Sequence, residues 1–178
     1  IRNSFSTAFV NSTEHQAGGI IGSAVEVNIE NTYFAGLAQC SDNRTGGIIA
    51  LLDDGNAVIK NSVVMSAWLK SGESSNRILG HINDNTDSEL SENYAWENLE
   101  IYTKGILDTD IVSNAAGYDG ESVTAATLSS SSFYGNTLAW STAIWKIEDG
   151  KYPILSFQTY PIAADAIYTQ EFPERPLP

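Results

Sequence analysis

Apolar and polar residues alternate with period two along the first half of the chain. Val25, Val27 and Ile29 share one face, and Glu26, Asn28 and Glu30 share the other, as in a strand buried on one side. The alternation is weaker around Val58, Ile59 and Val63. β-Branched and aromatic residues are dense, and no proline before Pro153 interrupts a ladder. Turn clusters fall between these stretches, at Asn11-Ser12-Thr13, Ser41-Asp42-Asn43, Asp53-Asp54-Gly55-Asn56, Ser71-Gly72 and Asn83-Asp84-Asn85. No stretch combines helical periodicity with caps. The pattern predicts short strands joined by tight turns.

The pattern is also repeated. Ile1-Arg2-Asn3, Ile29-Glu30-Asn31, Ile59-Lys60-Asn61 and Leu90-Ser91-Glu92 begin successive copies, and their leading residues are 28, 30 and 31 apart. Fifteen residues after each of the first three asparagines comes Gly18-Gly19, Gly46-Gly47 or Asn76-Arg77. A repeat of that length with short strands cannot bury its apolar face alone, whereas stacked repeats bury a continuous column. The expected fold is therefore all-β, a β-helical solenoid.

Stacking makes specific expectations. Ile1, Ile29, Ile59 and Leu90 form one internal aliphatic stack, and Phe5, Tyr33, Val63 and Tyr94 form a neighbouring one. Asn3, Asn31 and Asn61 form an amide ladder, which Glu92 breaks, marking the end of the regular array. The glycine pairs signal either positive φ or close approach between coils, with Asn76 as the second-choice residue for positive φ. A phosphate cradle at these glycines would need a following helix and a lysine, and the sequence offers neither.

Residues 1–98 are read as the repeat array and 99–155 as an irregular, aromatic-rich C-terminal cap of the same domain. The cap contains Phe133, Trp140, Trp145, Tyr152 and Pro153 and is expected to hide open strand edges. Residues 156–178 hold four of the five prolines and are read as an extended tail. The chain opens inside a repeat with neither an initiator Met nor a signal peptide, as a piece of a longer protein with further domains would.

Composition narrows the partners. Hydrophobic residues make up 42% and charged residues 17%, a globular balance, and the formal net charge is −13. That acidity argues against nucleic acid and anionic lipid as partners. The single cysteine, Cys40, excludes an internal disulfide or a multi-cysteine metal site. No apolar run is long enough to span a membrane as a helix.

Gly18-Gly19-Ile20-Ile21-Gly22, Gly46-Gly47-Ile48-Ile49-Ala50 and Arg77-Ile78-Leu79-Gly80 resemble the GLUG motif, and the Ile-x-Asn-Ser/Thr-aromatic element resembles its companion half. Phe133-Tyr134, Leu138-Ala139-Trp140, Trp145-Lys146-Ile147 and Tyr152-Pro153-Ile154-Leu155 are similar to the closing segment of many GLUG-repeat proteins. The resemblance covers about 155 of the 178 residues. It departs from the pattern at Ala50, Asn76-Arg77 and Glu92. It implies a right-handed β-helix in exported or surface proteins of bacteria, often Bacteroidales. Such repeats also occur beside the catalytic part of IgA-specific metallo-endopeptidases. The family carries no shared catalytic residues to transfer.

Candidate chemistry is sparse. His15 and His81 do not form the His-Glu-x-x-His pattern of a zinc hydrolase, and each sits beside a turn. Cys40 reads as an inert buried thiol, and no Gly-x-Ser-x-Gly elbow occurs. Asp53, Asp54, Asp84 and Asp87 lie in equivalent turns, where a carbohydrate-active β-helix would cluster its acids or where Ca²⁺ would bind, though the spacing fits no EF-hand or RTX repeat. Trp68 and Trp96 are the candidate sugar-stacking platforms. Asn11-Ser12-Thr13 and Asn43-Arg44-Thr45 match the N-glycosylation pattern.

The leading expectation is a non-enzymatic cell-surface or secreted module without a cofactor, adhesin-like or a spacer, with host or bacterial glycans or surface proteins as partners. The alternatives are a polysaccharide lyase or glycosidase and an accessory domain of a secreted peptidase.

Overall fold

The computed structural model describes residues 1–83 and 87–158, with the backbone alone described for Asp87. It is a β-solenoid of about four turns. The first coil carries β1 (Arg2–Ser6), β2 (Phe9–Ser12), β3 (Ala17–Gly18) and β4 (Ile21–Ala24). The second carries β5 (Val27–Phe34), β6 (Leu37–Cys40), β7 (Thr45–Gly46) and β8 (Ile49–Leu52). The third carries β9 (Asn56–Lys60), β10 (Val63–Val64), β11 (Trp68–Ser71), β12 (Ser75–Asn76) and β13 (Leu79–Ile82). The fourth carries β14 (Asp87–Ser91), β15 (Tyr94–Trp96), β16 (Glu100–Thr103) and β17 (Ile106–Leu107), after which β18 (Glu121–Val123) adds to β15.

Pairing between coils is parallel and in register: Ile29 opposite Ile59, Ile59 opposite Leu90, Ala38 opposite Leu69 and Leu69 opposite Ile101. These residues, with Ile48, Ile49, Ile78 and Leu79, form the column inside the coils. Ile1 departs from the expected internal stack. It keeps the register position beside Ile29, since Arg2 pairs with Glu30, but is 48% exposed.

The corner between β-segments explains where the second stack goes. Asn3, Asn31, Asn61 and Glu92 all adopt left-handed backbone, with φ of 51°, 53°, 50° and 52°. In an uninterrupted strand, residues 29 and 33 would face the same side. The left-handed residue between them rotates the chain, so Ile29 enters the inner column while Tyr33 faces outward. Phe5, Tyr33, Val63 and Tyr94 are in register but line the outside of the coil, not its interior. The asparagine ladder is present for one rung only: Asn31 Nδ2 donates to Asn3 Oδ1 at 3.3 Å, whereas Asn31 Oδ1 is buried without a partner, so Asn61 does not extend it. Glu92 does not end the array: it keeps the left-handed corner, and β14, β15 and β16 continue the register of the third coil.

The glycine pairs are not positive-φ sites, and neither is Asn76. They are close approaches. A Cβ on Gly19 would run into Gly47 O and the Phe34 ring, and one on Gly47 would meet Arg77 O and, at 2.6 Å, both Val64 methyls. Phe34, Val64 and Ala95 are register partners in successive coils. The third coil puts Arg77 where the others have glycine, and opposite it the large residue shrinks to Ala95. Arg77 is 1% exposed. Its Nε donates to Asp119 O at 2.9 Å, and its Nη2 donates to Gly120 O and Ser122 Oγ at 3.0 Å each. Burial pulls the guanidinium below its ordinary value, and Asp119 opposes that pull. The loop it anchors closes this end of the solenoid, because Ile78 N and Leu79 N donate to Tyr118 O and Asn93 N to Ala115 O.

The aromatic segment packs on the outward stack instead of covering strand edges at the end. It contains α1 (Ala125–Leu128), N-capped by Thr124, a π-turn at Phe133–Thr137, and the hairpin β19 (Trp145–Lys146) with β20 (Ile154–Leu155). The short helix and π-turn lie within sequence read as irregular. Trp140 and Trp145 stack at 4.6 Å, Phe133 meets Tyr94 edge-on at 5.1 Å, and Phe5 stacks on Tyr33 at 4.8 Å. Polar ends of these rings reach the coils: Trp140 Nε1 donates to Asn61 O, Trp145 Nε1 to Asn3 Oδ1, and Tyr33 OH to Pro153 O. Tyr152 is buried beside them. Most of the proline-containing tail lies outside the described residues.

Two predictions follow from this packing. Gly47→Ala forces backbone atoms of neighbouring coils apart and lowers stability by about 3 kcal/mol in denaturant titration. Gly135→Ala, where an added Cβ meets nothing within 4 Å, changes it by less than about 0.5 kcal/mol. The second concerns alkali. Burial, the bond to Glu92 and the charges of Glu92 and Glu121 push Tyr94 up to about 12 from an ordinary value near 10, and burial pushes Tyr33 up as well. A raised acid is protonated in the fold after it ionises in the unfolded chain, so its contribution is complete below pH 10 and is lost above it. The melting temperature should be flat up to that point and fall through about pH 12, with tyrosinate absorbance rising as the fold is lost.

Candidate functional site

Outward residues of β2, β6, β11 and β16 alternate with the inner column, so register alone dictates what this sheet face displays. One ladder reads Phe9, Leu37, Trp68, Glu100, and the next reads Asn11, Gln39, Lys70, Tyr102. The aromatic segment covers a different face.

In the first ladder Trp68 and Phe9 approach edge-on at 6.1 Å across the intervening Leu37, which is 4% exposed although its side faces outward. Trp68 is thus half-buried and partly a cover for Leu37. In the second ladder Gln39 Nε2 donates to Asn11 Oδ1 at 3.0 Å. Lys70 Nζ stands 4.3 Å from the Trp68 ring centre and 5.5 Å from that of Tyr102, an attraction between ammonium and ring face. Tyr102 OH donates to Glu100 Oε2 at 2.8 Å, which with some burial raises the phenol above its ordinary value.

Beside this second ladder runs a groove of about 740 Å³, lined by Gln39, Lys70 and Tyr102 and by the corner residues Thr13, Asp42 and Lys104. It draws a residue from each of the four coils. Rungs are about 4.8 Å apart, so the groove extends for about 14 Å along the solenoid. Its volume falls in the range of small-molecule sites; the residues that line it are mostly polar in type, but the surface they expose is more apolar than polar.

The other candidates are placed elsewhere. Trp96 packs at the seam between the inner column and the aromatic cluster, on another face from Trp68. Asp53 accepts a 2.6 Å bond from Asn83 Nδ2, and Asp54 accepts from Gly55 N in its own turn. Asp84 and the side chain of Asp87 lie outside the described residues. Among the described residues no three His, Cys, Asp or Glu side chains are grouped to hold a metal. Cys40 is buried, and its thiol donates to His15 O. His81 lies on β13, opposite Leu51, in a different sheet. Lys70, Tyr102, Gln39 and Lys104 escaped sequence reasoning. The available signal was their spacing, since Asn11, Gln39, Lys70 and Tyr102 are 28, 31 and 32 residues apart.

A parallel β-solenoid with a grooved sheet face that the described residues leave open is the class of protein these features define. No known family model matches the chain, and no curated protein matches it. Among solved structures it is similar to a protein from Bacteroides ovatus described as a "putative immunoglobulin A1 protease", with a TM-score of 0.71 and 26% identity. The match covers 89% of this chain and 48% of that one, so the chain spans about half the length of its structural neighbour.

Because Trp68 shields Leu37, Trp68→Ala should cost about 2 kcal/mol of stability. Lys70→Met, at a half-buried surface position, should stay within about 0.5 kcal/mol. Chemical denaturation of the two variants separates cover from display.

Proposed function

We propose that the chain is a non-enzymatic accessory module of an exported bacterial protein, and that it binds an extended saccharide along the groove of the β2–β6–β11–β16 face. The observation that carries this reading is the groove itself: it draws on all four coils along the solenoid axis and is bordered by an amide, hydroxyls and the Tyr102 ring. A linear, hydroxyl-rich chain matches that lining, with Gln39, Thr13 and Ser41 supplying hydrogen bonds and the Tyr102 ring supplying an apolar face. The accessory role rests on the structural likeness to the Bacteroides ovatus protein and on the resemblance of the repeats to GLUG proteins. A hydrolase or lyase reading is less well supported, since among the described residues Asp42, in the turn after β6, is the one acid lining the groove, and Glu100 stands on β16 in the neighbouring ladder. On this reading the module works outside the cell or at its surface and needs no cofactor.

A glycan array tests the reading. Extended oligosaccharides should bind, and Tyr102→Ala should weaken the best of them about tenfold while leaving the melting temperature unchanged. A blank for every saccharide at millimolar concentration, with the chain folded, would sink it.

A further inference from the structure

The charges of this chain are distributed unevenly around the groove. Nine Lys and Arg residues face 22 Asp and Glu. Arg175 lies outside the described residues, leaving eight cations. Five of them are ion-paired: Arg2 and Lys60 with Glu30, Arg44 with Glu73, and Lys146 and Lys151 with Glu148. Arg77 is buried against the Asp119 loop. The two that remain, among the described residues, are Lys70 and Lys104, and both line the groove.

That coincidence has a physical consequence. In a chain of net charge −13, a surface lysine without a carboxylate partner is the exception, and here two stand on successive coils along one concave strip. Lys70 is held over Trp68 and Tyr102, so its ammonium is positioned by rings, which leave its charge uncompensated. Lys104 is fixed by its left-handed backbone, φ 53°, and by its N–H bond to Ser71 O. Two carboxylates temper the strip: Asp42 on the groove wall and Glu100, which is engaged by Tyr102. Charges farther away are screened beyond about 8 Å at physiological ionic strength, so the acidity of the whole body does not decide the matter at the groove.

Resting on the saccharide reading above, we infer that the ligand is an anionic saccharide, bearing carboxylate or sulfate groups that sit on Lys70 and Lys104 while a sugar ring lies against Tyr102. The lysines then supply selection for charge, and the amide, hydroxyls and ring supply the affinity common to all saccharides.

The test uses the whole chain and three oligosaccharides of equal length: an oligogalacturonate, its fully methyl-esterified neutral form, and a sulfated chain. Titration calorimetry at low ionic strength should show an anionic ligand binding about tenfold more tightly than the neutral one, as two exposed ion pairs allow. The preference should vanish near 1 M salt, where screening acts within about 3 Å. Lys70→Met and Lys104→Asn should each remove about half of it on a logarithmic scale, Asp42→Asn should increase it, and Lys60→Met, an already paired lysine, should leave it unchanged. Which anionic ligand wins identifies the group recognised. Equal affinity for charged and neutral chains would overturn the inference and leave saccharide binding standing. Absence of binding to all three would overturn the inference, and a blank array besides would overturn both.

Discussion

The whole molecule turns on a backbone conformation that most side chains avoid. At the same corner of every coil one residue, Asn3, Asn31, Asn61 or Glu92, sits in the left-handed region, which costs an ordinary L-residue roughly 1–2 kcal/mol and asparagine less. Four such residues stacked in register rotate the strand after them so that its side chains divide between two cores. Ile29, Ile59 and Leu90 go inward before the corner, and Tyr33, Val63 and Tyr94 go outward after it. Without the rotation there would be no outward aromatic row and nothing for residues 124–155 to cover. The covering segment returns the support, because Trp140 and Trp145 donate their indole N–H groups to Asn61 O and Asn3 Oδ1 at the corners themselves. Corner and cover are therefore mutually stabilising, and the energetic cost of the corner is offset by burying a continuous aromatic cluster.

Inside the coils a second constraint operates through volume. Where Phe34 fills the column, Gly19 makes room for it, and where Val64 follows, Gly47 does so. At the next rung the assignment is reversed, with Ala95 small and Arg77 large. An interior packed to the density of a crystal tolerates such an exchange when the sum is kept. Arg77 brings a charge with it: the carbonyls of Asp119 and Gly120 accept from its guanidinium, while the Asp119 carboxylate accepts from its backbone N–H and favours the charge electrostatically. The exchange turns a repeated rung into a terminus, since the loop bound by Arg77 also takes the backbone donors of Ile78, Leu79 and Asn93.

The repeats were legible because a solenoid writes its register directly into sequence spacing. The inner stack, the position of the corners and the aromatic closing segment all follow from residues that recur at about thirty. What failed to show was the meaning of each recurrence. Glycine pairs and asparagines are both consistent with positive φ, and only the coil-to-coil distances assign close approach to Gly19 and Gly47 and left-handed backbone to Asn31. Glu92 looked like an interruption because its side chain differs from asparagine, while its backbone does not. Arg77 looked like decay of the motif and is instead the anchor of the closing loop. The groove was hidden for a related reason. Its residues, Asn11, Gln39, Lys70 and Tyr102, share a spacing but no side-chain type, so no motif marks them.

That contrast locates function in the fold. Positions facing inward are constrained by every neighbour above and below, and so they repeat. Outward positions on the sheet that the described residues leave open are constrained by register alone, so each coil is free to contribute a different group to one continuous strip. An amide, a second amide, an ammonium and a phenol at successive rungs are what such freedom permits. A repeated surface would present the same group at every rung, as an ordered lattice would require. A varied strip is the result, and its two lysines have no carboxylate partner, while the other described lysines and arginines are ion-paired or buried.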